Sequence, residues 1–342
     1  MQYYLKNEAF SGFLALLSRK YQVFVPEKIG RDDYVLTRLP LNVPPEIIFN
    51  PYRTVEPLRS FLTYAKEEVG KSSKASPVCL VHIKGCDLFS LKIQDFVFLG
   101  GGSEDSFYRL RRENTLIISS DCTGFKEVCH CVALNIMPYP VELFDLNLSP
   151  INEGFIVTVG SKKGETLVKE AQAYFHPANS SQLTGVRLKR EKLVEDLKRH
   201  ITAQHLARPD ILQQALKLGF DSKVWENETL TCVECGACNN ICCTCHCFLL
   251  SDEKNDGQPV RTRTWDACQF PNFARVAGGV NPLKIRRQRL RNRYLKKFDF
   301  FPDNLGLNAC TGCGRCIEAC PAKIDIRRIL KTLANEKSLP TY

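Results

Sequence analysis

The chain has 342 residues, a hydrophobic fraction of 44% and a net charge of +10 from 47 basic and 37 acidic residues. This length predicts two domains with cores of their own and excludes a miniprotein held together by covalent staples. No apolar run reaches the roughly 18 residues of a membrane helix, and the basic excess permits acidic partners without requiring them. Cysteine is unusually frequent and unevenly distributed. The chain has 17 cysteines, and 12 of them lie from Cys232 to Cys320.

The first half of the chain has the mixed pattern of an α/β domain. An amphipathic helix is predicted at residues 10–17, and β-rich runs bounded by turn residues predict strands at 21–25, 78–83, 116–119 and 155–159. The pattern then becomes helical, at residues 188–205 and 211–218. The sequence therefore predicts an α+β protein, with a mixed α/β domain at residues 1–185 and a helix-rich domain at residues 186–342.

Two runs of four cysteines share one unusual spacing. The first run is Cys232, Cys235, Cys238 and Cys242, and the second is Cys310, Cys313, Cys316 and Cys320. This C-x2-C-x2-C-x3-C spacing is that of bacterial ferredoxins with [4Fe-4S] clusters. Three cysteines on one tight loop can hold three irons, and the fourth iron needs a ligand from elsewhere. The pattern therefore predicts two [4Fe-4S] clusters.

In two-cluster ferredoxins the fourth cysteine of each run serves the other cluster. The ligands predicted for the first cluster are Cys232, Cys235, Cys238 and Cys320. Those predicted for the second cluster are Cys310, Cys313, Cys316 and Cys242. The alternative is tetrahedral zinc, which needs paired C-x2-C knuckles about 15 to 20 residues apart. Residues 243–309 separate the two runs, and this long separation favours iron-sulfur clusters over zinc.

The number of cysteines is odd, so complete disulfide pairing is excluded. The first twenty residues contain Glu8 before a short apolar run and no small-residue cleavage site, so they do not resemble a secretory signal. In a reducing cytoplasm, dense cysteines are more often metal ligands or redox thiols than structural bridges. We therefore expect a cytoplasmic protein.

Several segments resemble the dicluster iron-sulfur subunit of anaerobic sulfite reductase and, equally, its relatives the β subunits of cytoplasmic sulfhydrogenases. They are CVECGACNNICCTCHC at 232–247, WDACQF at 265–270, AGGVNP at 277–282, CTGCGRCIEACP at 310–321, KGCDL at 84–88, DCTGFKEVCHC at 121–131 and the segment 145–147. The resemblance implies that residues 186–342 form an α-helical ferredoxin domain. It also implies an electron-transfer protein in which no substrate bond is made or broken. One position departs from the family, which has proline where this chain has Cys243.

The resemblance to the sulfite reductase family implies a hetero-oligomer without a membrane partner. Electrons would come from an NADH-linked flavoprotein subunit with FAD and pass to a catalytic sirohaem subunit that reduces sulfite to sulfide. The alternative is the electron-transfer β subunit of a cytoplasmic NAD(P)-linked sulfhydrogenase or formate dehydrogenase. A third alternative, from another class, is a zinc-stabilised module that binds nucleic acid, which the cysteine spacing does not favour.

Nine cysteines remain outside the two predicted clusters. Four of them in the N-terminal domain match the number that a third cluster needs, with buried thiols as the alternative: Cys86, Cys122, Cys129 and Cys131. We call them set three. Four others, of which the last three match family motifs, are candidates for a fourth site: Cys243, Cys245, Cys247 and Cys268. We call them set four. Cys79 lies in an apolar run and is predicted to be a core residue.

A basic segment, KIRRQRLRNRYLKK at 284–297, lies between the two cysteine runs and contains no acidic residue. Three interpretations stay open: nucleic-acid binding, an electrostatic role beside a reduced cluster or an acidic partner, and a solvent-exposed helix face. Positive charge beside a cluster stabilises its reduced form and raises its potential. His130 and His246 each stand between two cysteines, and alternation along an extended chain predicts that they point away from a metal.

Overall fold

The computed structural model describes residues 2–40, 49–70, 75–100 and 104–342. Its strands are β1 Gln2–Lys6, β2 Gln22–Ile29, β3 Asp33–Arg38, β4 Lys66–Val69, β5 Val78–Ile83, β6 Thr115–Ser120, β7 Leu146–Ile151, β8 Gly154–Val159, β9 His176–Pro177, β10 Phe248–Asn255 and β11 Gln258–Trp265. Its helices are α1 Asn7–Leu17, α2 Gly85–Leu99, α3 Ser106–Asn114, α4 Lys162–Glu170, α5 Ser180–Ala203, α6 Leu212–Leu218, α7 Val224–Asn227, α8 Ala237–Asn240, α9 Arg286–Leu295, α10 Phe301–Leu305, α11 Arg315–Glu318 and α12 Ile326–Glu336. A π-helical turn, Lys296–Phe300, connects α9 to α10.

Eight strands of the N-terminal part form one mixed sheet in the order β3, β2, β5, β6, β7, β8, β1, β9. The central strands β2, β5, β6 and β7 run parallel, whereas β8 pairs with both β7 and β1 in antiparallel fashion. Because neighbouring parallel strands end at the same edge of a sheet, the residues that follow β5 and β6 come together. This edge therefore receives Lys84 and Cys86 from one strand and Asp121 and Cys122 from the next.

The sheet buries a different set of side chains on each face, because successive residues of a strand point to opposite sides. In β5, Cys79 and Val81 pack on the side of α1, whereas Leu80 and Ile83 pack on the side of α2. Cys79 is fully buried, as the sequence predicts. The sheet and its two helical layers thus make a rigid frame for the loops at its edge.

The C-terminal part is mainly helical. Helices α6, α7, α9 and α12 surround a second core that includes Trp225, Tyr294 and Leu333. A small antiparallel sheet in the order β10, β11, β4 joins the two parts, because β4 belongs to the N-terminal region. A mixed α/β part followed by a mainly helical part confirms the predicted fold class.

The predicted elements correspond to α1, β2, β5, β6, β8, α5 and α6. Helix α5 begins earlier than predicted, since Asn179 and Gln182 form a reciprocal capping box at its start. The domain boundary predicted at residue 185 falls inside this helix and stays a prediction. Among the described residues, no helix combines the length and the apolar character needed to cross a membrane.

Candidate functional site

The first candidate site is a cavity in the C-terminal part. The cysteines that line it include all four predicted ligands of the first cluster, Cys232, Cys235, Cys238 and Cys320, together with Cys316. The buried side chains of Gln269, Leu290 and Tyr294 are also part of its lining. The structure thus brings the last cysteine of the second run to the first three of the first run. Cys235 is exposed, so this site opens to the protein surface.

The two cysteine loops have the same local conformation. Gly236 and Gly314 each follow the second cysteine of a run and have φ of 72° and 74°, in the left-handed region that favours glycine. Each glycine carbonyl then accepts a hydrogen bond from the residue three positions later, at 2.9 Å in the first loop and 3.0 Å in the second. Each loop therefore turns tightly into a short helix, α8 or α11, which carries the third cysteine of its run.

The second candidate site is formed by the other predicted ligand set. Its members are Cys242, Cys310, Cys313 and Cys316, which lie close enough together to influence one another's ionisation. Burial raises the pKa of Cys316 to about 12, Arg293 opposes this rise, and the other three cysteines add to it. Since Cys316 also lines the first cavity, the two sites are neighbours.

Set three lies against the second site. The backbone N–H of His130 donates a 2.8 Å hydrogen bond to the carbonyl of Gly312, so the loop that holds Cys129 and Cys131 contacts the second cysteine run. Burial raises the pKa of Cys131, and the nearby Cys129 and Cys122 raise it further. Burial likewise raises the pKa of Cys86, with contributions that include Cys313 and Cys122. The structure therefore brings all of set three together, next to Cys313.

Set four is only partly brought together. The side-chain amide of Asn239 donates to Cys268 Sγ at 3.1 Å and to Cys245 Sγ at 3.6 Å. Burial raises the pKa of Cys247, and Cys268 is one of the groups that raise it further. Cys243 contacts the second site: its Sγ is 3.3 Å from the Thr311 hydroxyl, and its hydrogen bonds to Cys242 and Cys313 raise its pKa. A fourth site stays a prediction in which three of the four thiols are neighbours.

Buried positive charge surrounds these cysteines. Within the described residues, four buried cations near the cysteine sets form no ion pair with a carboxylate: Arg59, Lys84, Arg293 and Lys297. A buried cation without an anion nearby is costly, so such residues indicate negative charge in their surroundings. Iron-sulfur clusters held by four thiolates are anionic, and the donor set and the charge of these sites fit them.

The first two of these cations sit beside sets four and three. Arg59 donates to the carbonyl of Asn240 at 2.7 Å and stacks on Trp265 at 3.8 Å. Lys84 donates from Nζ to Ser120 Oγ at 2.7 Å, and burial lowers its pKa to about 8 although Cys122, Asp121 and Cys86 counteract this. Arg59 belongs to no segment singled out from the sequence, Lys84 opens the KGCDL segment at 84–88, and sequence reasoning assigned a role to neither.

The zinc alternative needs its ligands around a single atom, with sulfur at about 2.3 Å. In the described part of the chain, no three His, Cys, Asp or Glu side chains converge closely enough to bind one metal ion. The preference for clusters rests on the spacing of the two cysteine runs along the chain, which is that of ferredoxins with [4Fe-4S] clusters.

The basic segment does not form a wholly solvent-exposed face, and that interpretation is wrong. Arg289, Arg293 and Lys297 recur every four residues and are buried, with 1%, 4% and 5% of their surface exposed. Arg286 and Arg287 are exposed. The inward face of the segment therefore carries charge toward the cysteines, as the electrostatic interpretation expects.

One ring nitrogen of each histidine contacts a backbone carbonyl, whereas the buried Nε2 of His130 has no partner within the described residues. Nδ1 of His130 lies 3.0 Å from the carbonyl of Val128, and Nδ1 of His246 lies 3.1 Å from that of Thr244. Burial lowers the pKa of both, for His246 to about 4. His246 also packs its ring against Phe301. These contacts are consistent with a packing role for both histidines.

Comparison with known proteins gives two matches. Residues 231–324 match the family model of the 4Fe-4S dicluster domain, which spans both cysteine runs. The chain is also 33% identical over 299 residues to sulfhydrogenase 2 subunit beta of Pyrococcus furiosus, an alignment that covers 87% of this chain and 84% of the relative. The prediction that the C-terminal part is an iron-sulfur domain of the ferredoxin type is confirmed.

Proposed function

The chain belongs to the family of sulfhydrogenase beta subunits, and from this premise we propose that it is the electron-transfer component of a cytoplasmic sulfhydrogenase-type complex. The similarity to the Pyrococcus furiosus protein favours this function over a role in sulfite reductase, although the sequence motifs resemble both. The observation that carries the proposal is this similarity over most of both chains, combined with two adjoining cysteine sites inside a dicluster domain.

The proposed ligands are those that the spacing predicts. Cys232, Cys235, Cys238 and Cys320 would hold one [4Fe-4S] cluster. Cys242, Cys310, Cys313 and Cys316 would hold the other. A bound cluster supplies one-electron transfer without the making or breaking of a substrate bond. The protein's own contribution is to exclude water with Leu290 and Tyr294 and to place buried positive charge beside the thiolates.

The positions of the sites support a route for electrons. The first site opens to the surface at Cys235, whereas the second lies deeper and shares the neighbourhood of Cys316. Set three is the next group of cysteines along this route, because Cys86 and Cys129 both lie near Cys313 of the second site. The proposed order is therefore surface, first cluster, second cluster and then set three at the edge of the N-terminal sheet.

A third cluster bound by set three is part of the proposal. The Cys129→Ser variant should contain about four irons fewer than the wild type, the content of one [4Fe-4S] cluster. Iron and acid-labile sulfide are to be measured per chain after anaerobic purification. Cys79→Ala is the matched control, because this thiol is buried in the apolar core away from the other cysteines. Unchanged iron and sulfide in Cys129→Ser would return set three to the role of ordinary buried thiols.

The identity of the complex is tested by recovering it. A tagged chain purified anaerobically from its native host should bring down two partners, one that contains nickel and one that contains flavin. Metal analysis and the absorption spectrum of the recovered complex are the measurements. Sirohaem in place of nickel, together with sulfite-dependent oxidation of the reduced complex, would contradict the proposal and support the sulfite reductase alternative.

A further inference from the structure

The inward face of α9 and the π-helical turn carries three buried cations that differ in their partners. Arg289 forms an ion pair with Glu234. Arg293 and Lys297, one turn and two turns farther along, form none with any carboxylate of the described residues. Both are fully surrounded by protein. On this face of the helix, within the described residues, these two are therefore the buried charges without a carboxylate counter-ion.

Lys297 is fixed at the second proposed cluster. Its Nζ lies 3.3 Å from Cys242 Sγ, 2.7 Å from Thr244 Oγ1 and 2.8 Å from the carbonyl of Ala309. An ammonium group has three N–H donors, so these three acceptors use all of them. One donor is therefore directed at the sulfur of a proposed ligand, and the other two hold the side chain in place.

Arg293 lies between the two proposed clusters. Within the described residues, it donates one hydrogen bond, from Nη2 to the carbonyl of Cys238 at 2.9 Å, and its buried Nε has no partner. It lines the cavity of the first site beside Cys238 and Cys316. Cys245 of set four and Cys242 of the second site are also close enough to raise its pKa. Buried N–H groups in proteins almost always have a partner, so this unpaired donor indicates an acceptor in the space between the sites.

We propose that Arg293 and Lys297 act as positioning residues that set the reduction potentials of the two clusters, Arg293 for both clusters and Lys297 for the second. The inference rests on the proposed ligand sets and goes beyond them. Reduction adds one negative charge to a cluster, and a cation held nearby in a low-dielectric interior stabilises that added charge. Hydrogen bonds to the ligand sulfurs act in the same direction, because they also favour the more negative state.

The test is a redox titration of the full-length chain, purified anaerobically with its clusters and followed by electron paramagnetic resonance. In Lys297→Met the equilibrium constant for one-electron reduction should fall about tenfold at one cluster, which is about 59 mV for a one-electron couple. In Arg293→Met it should fall at both clusters. Lys297→Arg keeps the charge and should restore most of the potential. Arg287→Gln removes a charge from the exposed face of the same helix and should change neither potential.

The iron and acid-labile sulfide content distinguishes a failure of the proposed function from a failure of the inference about the potentials. A wild-type chain without iron and acid-labile sulfide would contradict the proposed function, and the inference with it. Wild-type clusters whose potentials stay unchanged in Lys297→Met and Arg293→Met would overturn the inference alone.

A second measurement does not depend on the stability of a variant. Pulsed paramagnetic resonance of the reduced wild-type chain, labelled with ¹⁵N-lysine, should detect a nitrogen coupled to a cluster, because Lys297 Nζ lies 3.3 Å from a proposed ligand sulfur. The coupling at the second cluster should be absent from labelled Lys297→Arg, whereas a coupling from Lys84, which lies beside set three, should remain. A wild-type chain with reduced clusters and no coupled lysine nitrogen would overturn the role of Lys297.

Discussion

Cys320→Ala should remove about four irons per chain, one [4Fe-4S] cluster, from the first site although this cysteine belongs to the second run. The reason is geometric: Cys320 lines the same cavity as Cys232, Cys235 and Cys238. Iron and acid-labile sulfide analysis of the anaerobically purified chain measures the loss. Cys79→Ala is again the control and should keep the iron content of the wild type.

Double variants decide which cysteines share a cluster. If Cys232 and Cys320 bind the same cluster, the double variant Cys232→Ala/Cys320→Ala should lose no more iron than either single variant. The double variant Cys320→Ala/Cys310→Ala should lose about eight irons, because those two serve different clusters. The crossed arrangement would be contradicted if Cys232→Ala/Cys320→Ala lost about eight irons and Cys320→Ala/Cys310→Ala lost only about four.

Asp87→Ala should lower the free energy of unfolding by about 3–5 kcal/mol, the cost of leaving a buried charge without its partner. Arg315 is fully buried beside the second site and donates to both carboxylate oxygens of Asp87, at 2.8 Å and 2.7 Å. The same guanidinium also donates to the carbonyls of Thr54 and Val55 at 3.0 Å. The pair therefore ties the helix after β5 to the second cysteine loop.

The measurement is urea unfolding of the full chain under anaerobic conditions. Glu226→Ala is the matched control, since it breaks an exposed ion pair with Arg287 at 3.2 Å and should cost about 0–1 kcal/mol. A loss in Asp87→Ala no larger than that of the control would mean that the Arg315 pair does not hold the two parts together.

The cysteine runs were predictable because their chemistry is local. Three thiols on one tight loop have a fixed spacing along the chain, and glycine at 236 and 314 marks the turn that the loop needs. The regular strands and α1 were predictable for a similar reason, since their apolar periodicity is visible within one element. The early start of α5 could also have been found, because Asn179 and Gln182 have the spacing of a capping box.

The surroundings of the cysteines depend on tertiary structure and leave little trace in the sequence. Set three comes together because β5 and β6 are adjacent parallel strands, and the order of strands in a sheet is not written in their individual patterns. The basic segment has charges on every side of its helix, so its sequence does not indicate which face is buried. The structure shows that Arg289, Arg293 and Lys297 form the inward face. Arg59 is an isolated residue without a pattern, and the KGCDL segment that contains Lys84 does not by itself indicate a role for the lysine.

The most direct test of the central claim is the metal and sulfide content of the wild-type chain after anaerobic purification, together with its paramagnetic resonance spectrum after reduction. Two [4Fe-4S] clusters predict about eight irons and eight acid-labile sulfides per chain, and about four more of each if set three is loaded. The reduced protein should show the signals of interacting clusters. A colourless protein that contains zinc, and has neither iron nor acid-labile sulfide, would contradict the claim that this chain transfers electrons.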